Sequence, residues 1–180
     1  MVYLLSELLY NLTIIRETLY FRRLCMEAII FMFCITLHNI EEALWLTAWM
    51  EKHMPTKRGL RNNNHFIFAV LGITILGYLT AGLFMMFPDN LYIGYAFIGF
   101  VGAMIVNTIM PHLIFTVIYK KFCPGVFTGC FLIIPFHTII LLKALSETLT
   151  LIEVLVSVIV IGLILLGSIP IFESIAKRYL

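Results

Sequence analysis

The sequence predicts an all-α protein, a polytopic bundle of about five transmembrane helices with a further helix at the N-terminus. Composition is the first reason: 62% of the 180 residues are hydrophobic and 12% are charged, far more apolar than a soluble domain. The second is a series of apolar runs near or above the ~20 residues that a helix needs to cross the hydrocarbon core. The formal net charge of +2 is too small to indicate a nucleic-acid partner.

Five apolar runs, separated by short polar segments, are the predicted spans. They cover residues 24–50, 66–87, 91–119, 126–145 and 151–169, and a short tail follows from residue 170. Residues 24–180 are therefore predicted to fold as one transmembrane domain, without a separate soluble domain.

The first 23 residues combine leucines with charged side chains such as Glu7, Arg16 and Arg22. The charges disfavour a clean span, so residues 1–23 are predicted to form an interfacial helix, with a sixth span as the alternative. The stretch lacks a basic leader and a small-residue cleavage site, and a signal peptide is not predicted.

Lysine and arginine are distributed unevenly between the two ends of the predicted bundle. The segments 51–65 and 120–125, together with the tail, share one end and hold eight of the twelve basic residues. The positive-inside rule places this end in the cytoplasm.

An unusual cluster of ionisable residues interrupts the first span. Glu41 and Glu42 follow His38 by three and four positions, so all three side chains share one side of a helix. Each ionisable group at the centre of a span costs about 2.5–3.5 kcal/mol on insertion scales. The cluster therefore requires partners from other helices.

Helix rise indicates which other residues lie at the same depth. Counting ~1.5 Å per residue from the cytoplasmic ends, His112 and Asn107 of the third span and His137 of the fourth fall level with the cluster. Asn107 and His112 are five positions apart, which separates them by about 140° on a regular helix. Pro111 lies between them and predicts a kink that brings them closer.

Imidazole and carboxylate groups together are typical ligands of a divalent transition metal, zinc being favoured and iron or manganese being alternatives. A metal would also neutralise the buried carboxylates. Of Glu41 and Glu42, one would bind the metal and the other would act as general base. The four cysteines are expected to be packing residues or inert thiols, with none at the depth of the site. The predicted ligands are His38, Glu41, Glu42, His112 and His137, with Asn107 orienting them.

The pattern His38-x-x-Glu41-Glu42, an Asn and a His in a middle span, and Pro124-Gly125 further on resemble the HXXEE-domain proteins, small prokaryotic membrane proteins. The resemblance covers roughly residues 30–140. It implies a multi-pass helical protein of a prokaryotic cytoplasmic membrane, without an established activity. The family's Asn and His follow an NxxxH spacing, and in this chain they stand one residue further apart.

Three functions are compatible with these residues. The first is a metal-dependent enzyme, hydrolytic or lipid-modifying, which acts on a lipid-like or small-molecule substrate in the cytoplasmic half of the bilayer. The second is a proton-coupled transporter or channel that uses the cluster as a relay. The third is a structural membrane protein with a satisfied polar core. Membrane lipids and a second copy of the chain, forming a homodimer, are the expected partners.

Overall fold

The computed structural model describes residues 2–54, 63–147 and 149–179, with side chains from Cys25 onward. Its helices confirm the predicted all-α fold. Among the described residues, five segments are long and apolar enough to cross a membrane: Cys25–His53, Asn63–Met86, Leu91–Tyr119, Val126–Glu147 and Leu151–Tyr179. We refer to them as spans 1 to 5.

Several spans are built from more than one helical segment. The α-helices are α1 (Val2–His53), α2 (Asn63–Met86), α3 (Leu91–Asn107), α4 (Ile114–Tyr119), α5 (Val126–Thr128), α6 (Thr138–Glu147) and α7 (Leu151–Tyr179). Two wider, π-helical segments join them within spans 3 and 4, at Thr108–Leu113 and Gly129–His137.

Helix α1 continues without a break from Val2 to His53, a length of 52 residues. At 1.5 Å per residue it extends for about 78 Å, more than a bilayer is thick. The backbone of residues 2–23 is thus helical, and it is continuous with span 1. Whether this part lies at the interface or crosses the membrane stays a prediction.

Span 3 has a kink immediately before Pro111. Met110 has an extended backbone (φ −128°, ψ 109°) between helical neighbours. Proline provides no backbone N–H and disfavours the helical conformation of the residue before it, which explains the position of the break. The helix resumes after a wide turn in which the N–H of Ile114 contacts the carbonyl of Ile109.

Span 5 is longer than predicted, because α7 continues through Pro170 as far as Tyr179. The predicted tail from residue 170 onward is therefore wrong for the residues up to 179. Packing provides the reason: the ring of Phe172 lies against α2 at Gly72, where a Cβ atom would come within 2.8 Å of the ring.

Aromatic side chains fill the centre of the bundle. Phe31 of span 1 is fully buried and meets Phe97 and Phe100 of span 3, with ring centroids 5.3 and 5.4 Å apart. Phe97 also stacks on Phe84 of span 2 at 4.3 Å. Large apolar side chains also cover the outer surface of the bundle, as expected for a surface in contact with lipid. The polar cluster of span 1 consequently faces the interior.

Candidate metal centre

Three side chains from two spans converge on a single oxygen atom, Oε1 of Glu42. His112 Nε2 lies 2.5 Å from it, Asn107 Nδ2 donates to it at 3.1 Å, and His38 Nε2 lies 3.2 Å away. His38 and His112 are fully buried, and Glu42 is 9% exposed. Spans 1 and 3 are thus joined through one carboxylate in the interior of the bundle.

The donor atoms of His38, Glu42 and His112 all lie within 4.8 Å of one another. The two imidazole rings are nearly perpendicular, with centroids 5.1 Å apart. Two ligands of a tetrahedral metal, each at about 2.0–2.1 Å, are about 3.3 Å apart. The 3.2 Å separation of His38 and Glu42 fits this value, and His112 would need to withdraw by less than about 1 Å.

The kink explains why Asn107 and His112 reach the same oxygen. On a regular helix, residues five apart point in clearly different directions. The extended Met110 and the wide turn after it add length between them, and a turn closed by i→i+5 bonds brings such residues onto one side. The predicted effect of Pro111 is confirmed, since Asn107 and His112 both contact Glu42.

Glu41 has a different set of contacts. Its Oε2 accepts hydrogen bonds from the backbone N–H of Thr128 at 2.9 Å and from the Thr128 hydroxyl at 2.5 Å. The same hydroxyl oxygen lies 3.1 Å from His38 Nδ1. Because the hydroxyl hydrogen is donated to Glu41, its oxygen accepts from an Nδ1–H of His38. Nε2, on the other side of the ring, faces Glu42 and Asn107.

Cys123 lies behind His112, with its Sγ atom 4.0 Å from Nδ1 of that ring. The expectation that no cysteine lies at the depth of the site is therefore wrong. The chain reverses at Lys120 and Gly125, both with positive φ, and this reversal returns the loop to His112. A Cβ atom on Gly125 would lie 2.5 Å from His112 Nδ1, so glycine is needed there for space as well as for conformation.

His137 does not belong to the group of converging donors. Its Nδ1 lies 2.9 Å from the carbonyl of Val101, and its ring packs on Phe31 with centroids 5.4 Å apart. The Nε2 atom is buried and has no hydrogen-bond partner among the described residues. The assignments of Glu41 and His137 as metal ligands stay predictions, since the donor atoms that converge are those of His38, Glu42 and His112.

A cavity of about 640 Å³ lies beside the cluster. Its polar lining comes from Asn39, Glu42, Asn107 and His112, and the other residues that line it are apolar. Asn39 is held by a hydrogen bond from its Nδ2 to the Thr74 hydroxyl at 2.8 Å. Sequence reasoning did not find Asn39 as a lining residue, because it lies beside His38 in sequence and on another side of the helix. Glu42 and His112 thus face a space large enough for a ligand.

Five apolar spans around a buried cluster of two histidines and one glutamate define a polytopic helical membrane protein with a candidate metal centre. The chain belongs to the family described as "Protein of unknown function with HXXEE motif", whose model matches residues 29–140. That range contains every member of the cluster. The chain is also 40% identical over 149 residues to "Uncharacterized protein YrkK" of Bacillus subtilis (strain 168), covering 82% of this chain and 94% of the relative. No solved structure matches it.

Proposed function

We propose that this protein is a metal-dependent membrane enzyme that hydrolyses or otherwise modifies a lipid. In this proposal His38, Glu42 and His112 hold a divalent transition metal, with zinc favoured and iron or manganese as alternatives. The observation that carries it is the convergence of two buried imidazoles on one buried carboxylate oxygen at the wall of a cavity.

The donor set supports a catalytic rather than a purely structural metal. Two histidines and one carboxylate are the protein ligands of several zinc hydrolases, which keep a further position for water or substrate. The same set with open positions is typical of non-haem iron oxygenases, which is why iron is retained as an alternative. Glu42 and His112 line the cavity, so a substrate there would reach them.

Each residue of the site has a defined part in this proposal. A bound metal supplies a Lewis acid and lowers the pKa of water, which favours attack on a carbonyl. Glu41 and Thr128 would orient His38 through its Nδ1 atom and direct Nε2 toward the metal, as an outer hydrogen bond commonly does for a metal-binding histidine. Asn107 donates to Glu42 and fixes its carboxylate. Hydrolysis of an ester consumes one water and yields an acid and an alcohol, so it requires no redox partner.

The geometry gives less support to the proton-relay alternative. A relay requires titratable groups that follow one another along the path of the proton. In this chain the donor atoms of His38, Glu42 and His112 instead form one compact group, all within 4.8 Å of one another, a spacing that a single ion can bridge. We therefore place the enzyme first.

Elemental analysis of detergent-purified protein tests the proposal. We expect a transition metal near stoichiometric amount in the wild type, and a strong reduction in Glu42→Ala. His65→Ala is the matched control, since His65 lies in the first turn of span 2 and outside the cluster, and it should retain the metal. A wild type that carries no metal when purified without chelator, and binds none on titration, would refute the proposal.

A further inference from the structure

The apolar part of the cavity is enclosed mainly by span 3 and α7. These two helices touch tightly at one level: a Cβ atom on Gly102 would lie 2.2 Å from Cγ2 of Val158, and one on Gly99 would lie 2.5 Å from the carbonyl oxygen of Ser157. Beyond this level the contact loosens. A Cβ atom on Gly162 would lie 3.9 Å from Ala103 Cβ, an ordinary van der Waals distance.

Further along, α7 closes on α2 at the contact between Phe172 and Gly72. Between the contact with span 3 and the contact with α2, α7 forms one wall of the cavity. The kink at Met110 lies in the same interval, because Met110 and Pro111 both line the cavity. The space is therefore built by the backbone, through two close helix contacts and one break.

The cavity also reaches the outer surface of the bundle. Met110 of span 3 and Leu163 and Leu166 of α7 line it, and they are 63%, 65% and 66% exposed. In a chain that spans a membrane, an apolar outer surface of this kind is in contact with lipid. The opening between span 3 and α7 thus connects the hydrocarbon of the bilayer with Glu42 and His112.

We propose that this cavity binds one acyl chain of a phospholipid, which enters from the surrounding bilayer and places its ester group near Glu42 and His112. A chain of roughly 16 carbons needs about 480 Å³ if each carbon occupies the ~30 Å³ of a water molecule in the liquid. A space of 640 Å³ accommodates it. For the reaction at the ester this inference rests on the proposed function, whereas the binding of the chain depends on the cavity alone.

The polar end of the cavity favours an ester over a phosphate. Phosphate groups are usually bound by arginine or lysine. None of the described residues that line the cavity is Lys or Arg, and the lining includes one carboxylate, Glu42. An uncharged carbonyl group fits this lining without a cationic side chain.

Photo-crosslinking in bilayer nanodiscs tests the proposal. The probe is a phosphatidylglycerol with a diazirine near the end of a palmitoyl chain, and crosslinked peptides are mapped by mass spectrometry. Val70 and Met104 are buried and line the cavity, so a lipid on the outer surface does not reach them. We expect both to be labelled in the wild type.

Gly162→Phe fills the cavity, and Gly167→Phe is its matched control on the same helix, where an added Cβ meets nothing within 4 Å. If the Phe side chain excludes only two methylene groups of the acyl chain, the affinity for that chain already falls about tenfold. Labelling of Val70 and Met104 should therefore fall by about that factor or more in Gly162→Phe and stay unchanged in Gly167→Phe. If Gly162→Phe does not fold, Gly162→Leu replaces it, and a folded bundle is verified from its unfolding transition in detergent.

Metal content separates the two proposals. Gly162→Phe should keep its metal while losing the labels, and His112→Ala should lose metal while keeping them. Wild-type protein that binds metal but shows no label at Val70 or Met104 would overturn the acyl-chain site. Wild-type protein that is labelled at Val70 and Met104 but binds no metal would support the acyl-chain site and refute the proposed metal-dependent enzyme. Labelling by diazirine palmitic acid but not by the phospholipid would also overturn the proposal, in favour of a free acid.

Discussion

Glu42 Oε1 and His112 Nε2 lie 2.5 Å apart, although 70 positions separate the two residues in the sequence. Glu42 belongs to the HXXEE motif of span 1, and His112 follows the kink of span 3. The contact makes the kink part of the site, because a straight span 3 would not present both Asn107 and His112 to the same carboxylate.

If His38 and His112 hold one metal, their substitutions should not be additive. His38→Ala, His112→Ala and the double variant should lose similar amounts of bound metal, since removing one ligand already empties or distorts the site. Elemental analysis of the three purified variants measures this. Additive losses, or full retention in His112→Ala, would separate span 3 from the motif.

Asn107→Ala and His137→Ala are predicted to lose less metal than His112→Ala. Asn107 contacts His38 and Glu42 through its amide group, and such orienting groups typically change affinity by about 10–100-fold. His137 faces the Val101 carbonyl instead. Titration with a competing chelator measures these affinities. A His137→Ala protein that binds no metal would show that His137 is a ligand.

Thr128 is predicted to act as a positioning residue for His38. Thr128→Val keeps the shape but removes the hydroxyl that joins Glu41 to His38 Nδ1, so metal affinity should fall by about 10–100-fold. Thr128→Ser retains the hydroxyl and should restore most of the affinity. Thr80→Val is the control, because the Thr80 hydroxyl donates to the Leu76 carbonyl within its own helix. Equal affinity in Thr128→Val and wild type would remove this role.

Much of this fold could be predicted because hydrophobic length determines a membrane span. The predicted spans 1 to 4 begin and end within three residues of those observed. The approach of His38 and Glu42 followed from i,i+4 spacing, and that of Asn107 and His112 from the kink at Pro111. The contacts of Thr128 and Cys123 could not be predicted, since they depend on how the loop from Lys120 to Gly125 folds back. For the same reason, the sequence did not predict that Glu41 contacts Thr128 while Glu42 contacts the two histidines.

Gly99 is predicted to be essential for the packing of span 3 against α7. A Cβ atom there would lie 2.5 Å from the Ser157 carbonyl oxygen, a backbone atom that cannot move alone. Gly99→Ala should destabilise the protein by about 1–3 kcal/mol, as overpacking usually does. Gly94→Ala, where an added Cβ meets nothing within 4 Å, should be neutral or stabilising. Unfolding in detergent measures both, and equal stabilities would contradict the close contact.

The basic end of the bundle is predicted to face the cytoplasm. In a background without native cysteines, Lys121→Cys should resist a membrane-impermeant thiol reagent in intact cells, and Asp89→Cys should react with it. Both positions are exposed and lie at turns between spans. Permeabilised cells, in which both should react, provide the control. The reverse pattern would invert the orientation and move the site toward the other leaflet.

The candidate metal donors and the cavity wall formed by α7 come from different parts of the sequence. The family match ends at residue 140, and α7 begins at Leu151. His38, Glu42 and His112 all precede that boundary, while the cavity side chains from Val158 to Ile169 follow it. If the cavity holds an acyl chain as proposed, a substitution in α7 would change the length or shape of the chain admitted without displacing a donor atom. In the proposed enzyme, the choice of substrate and the reaction chemistry would then be open to separate evolution, and to separate engineering, within one small bundle.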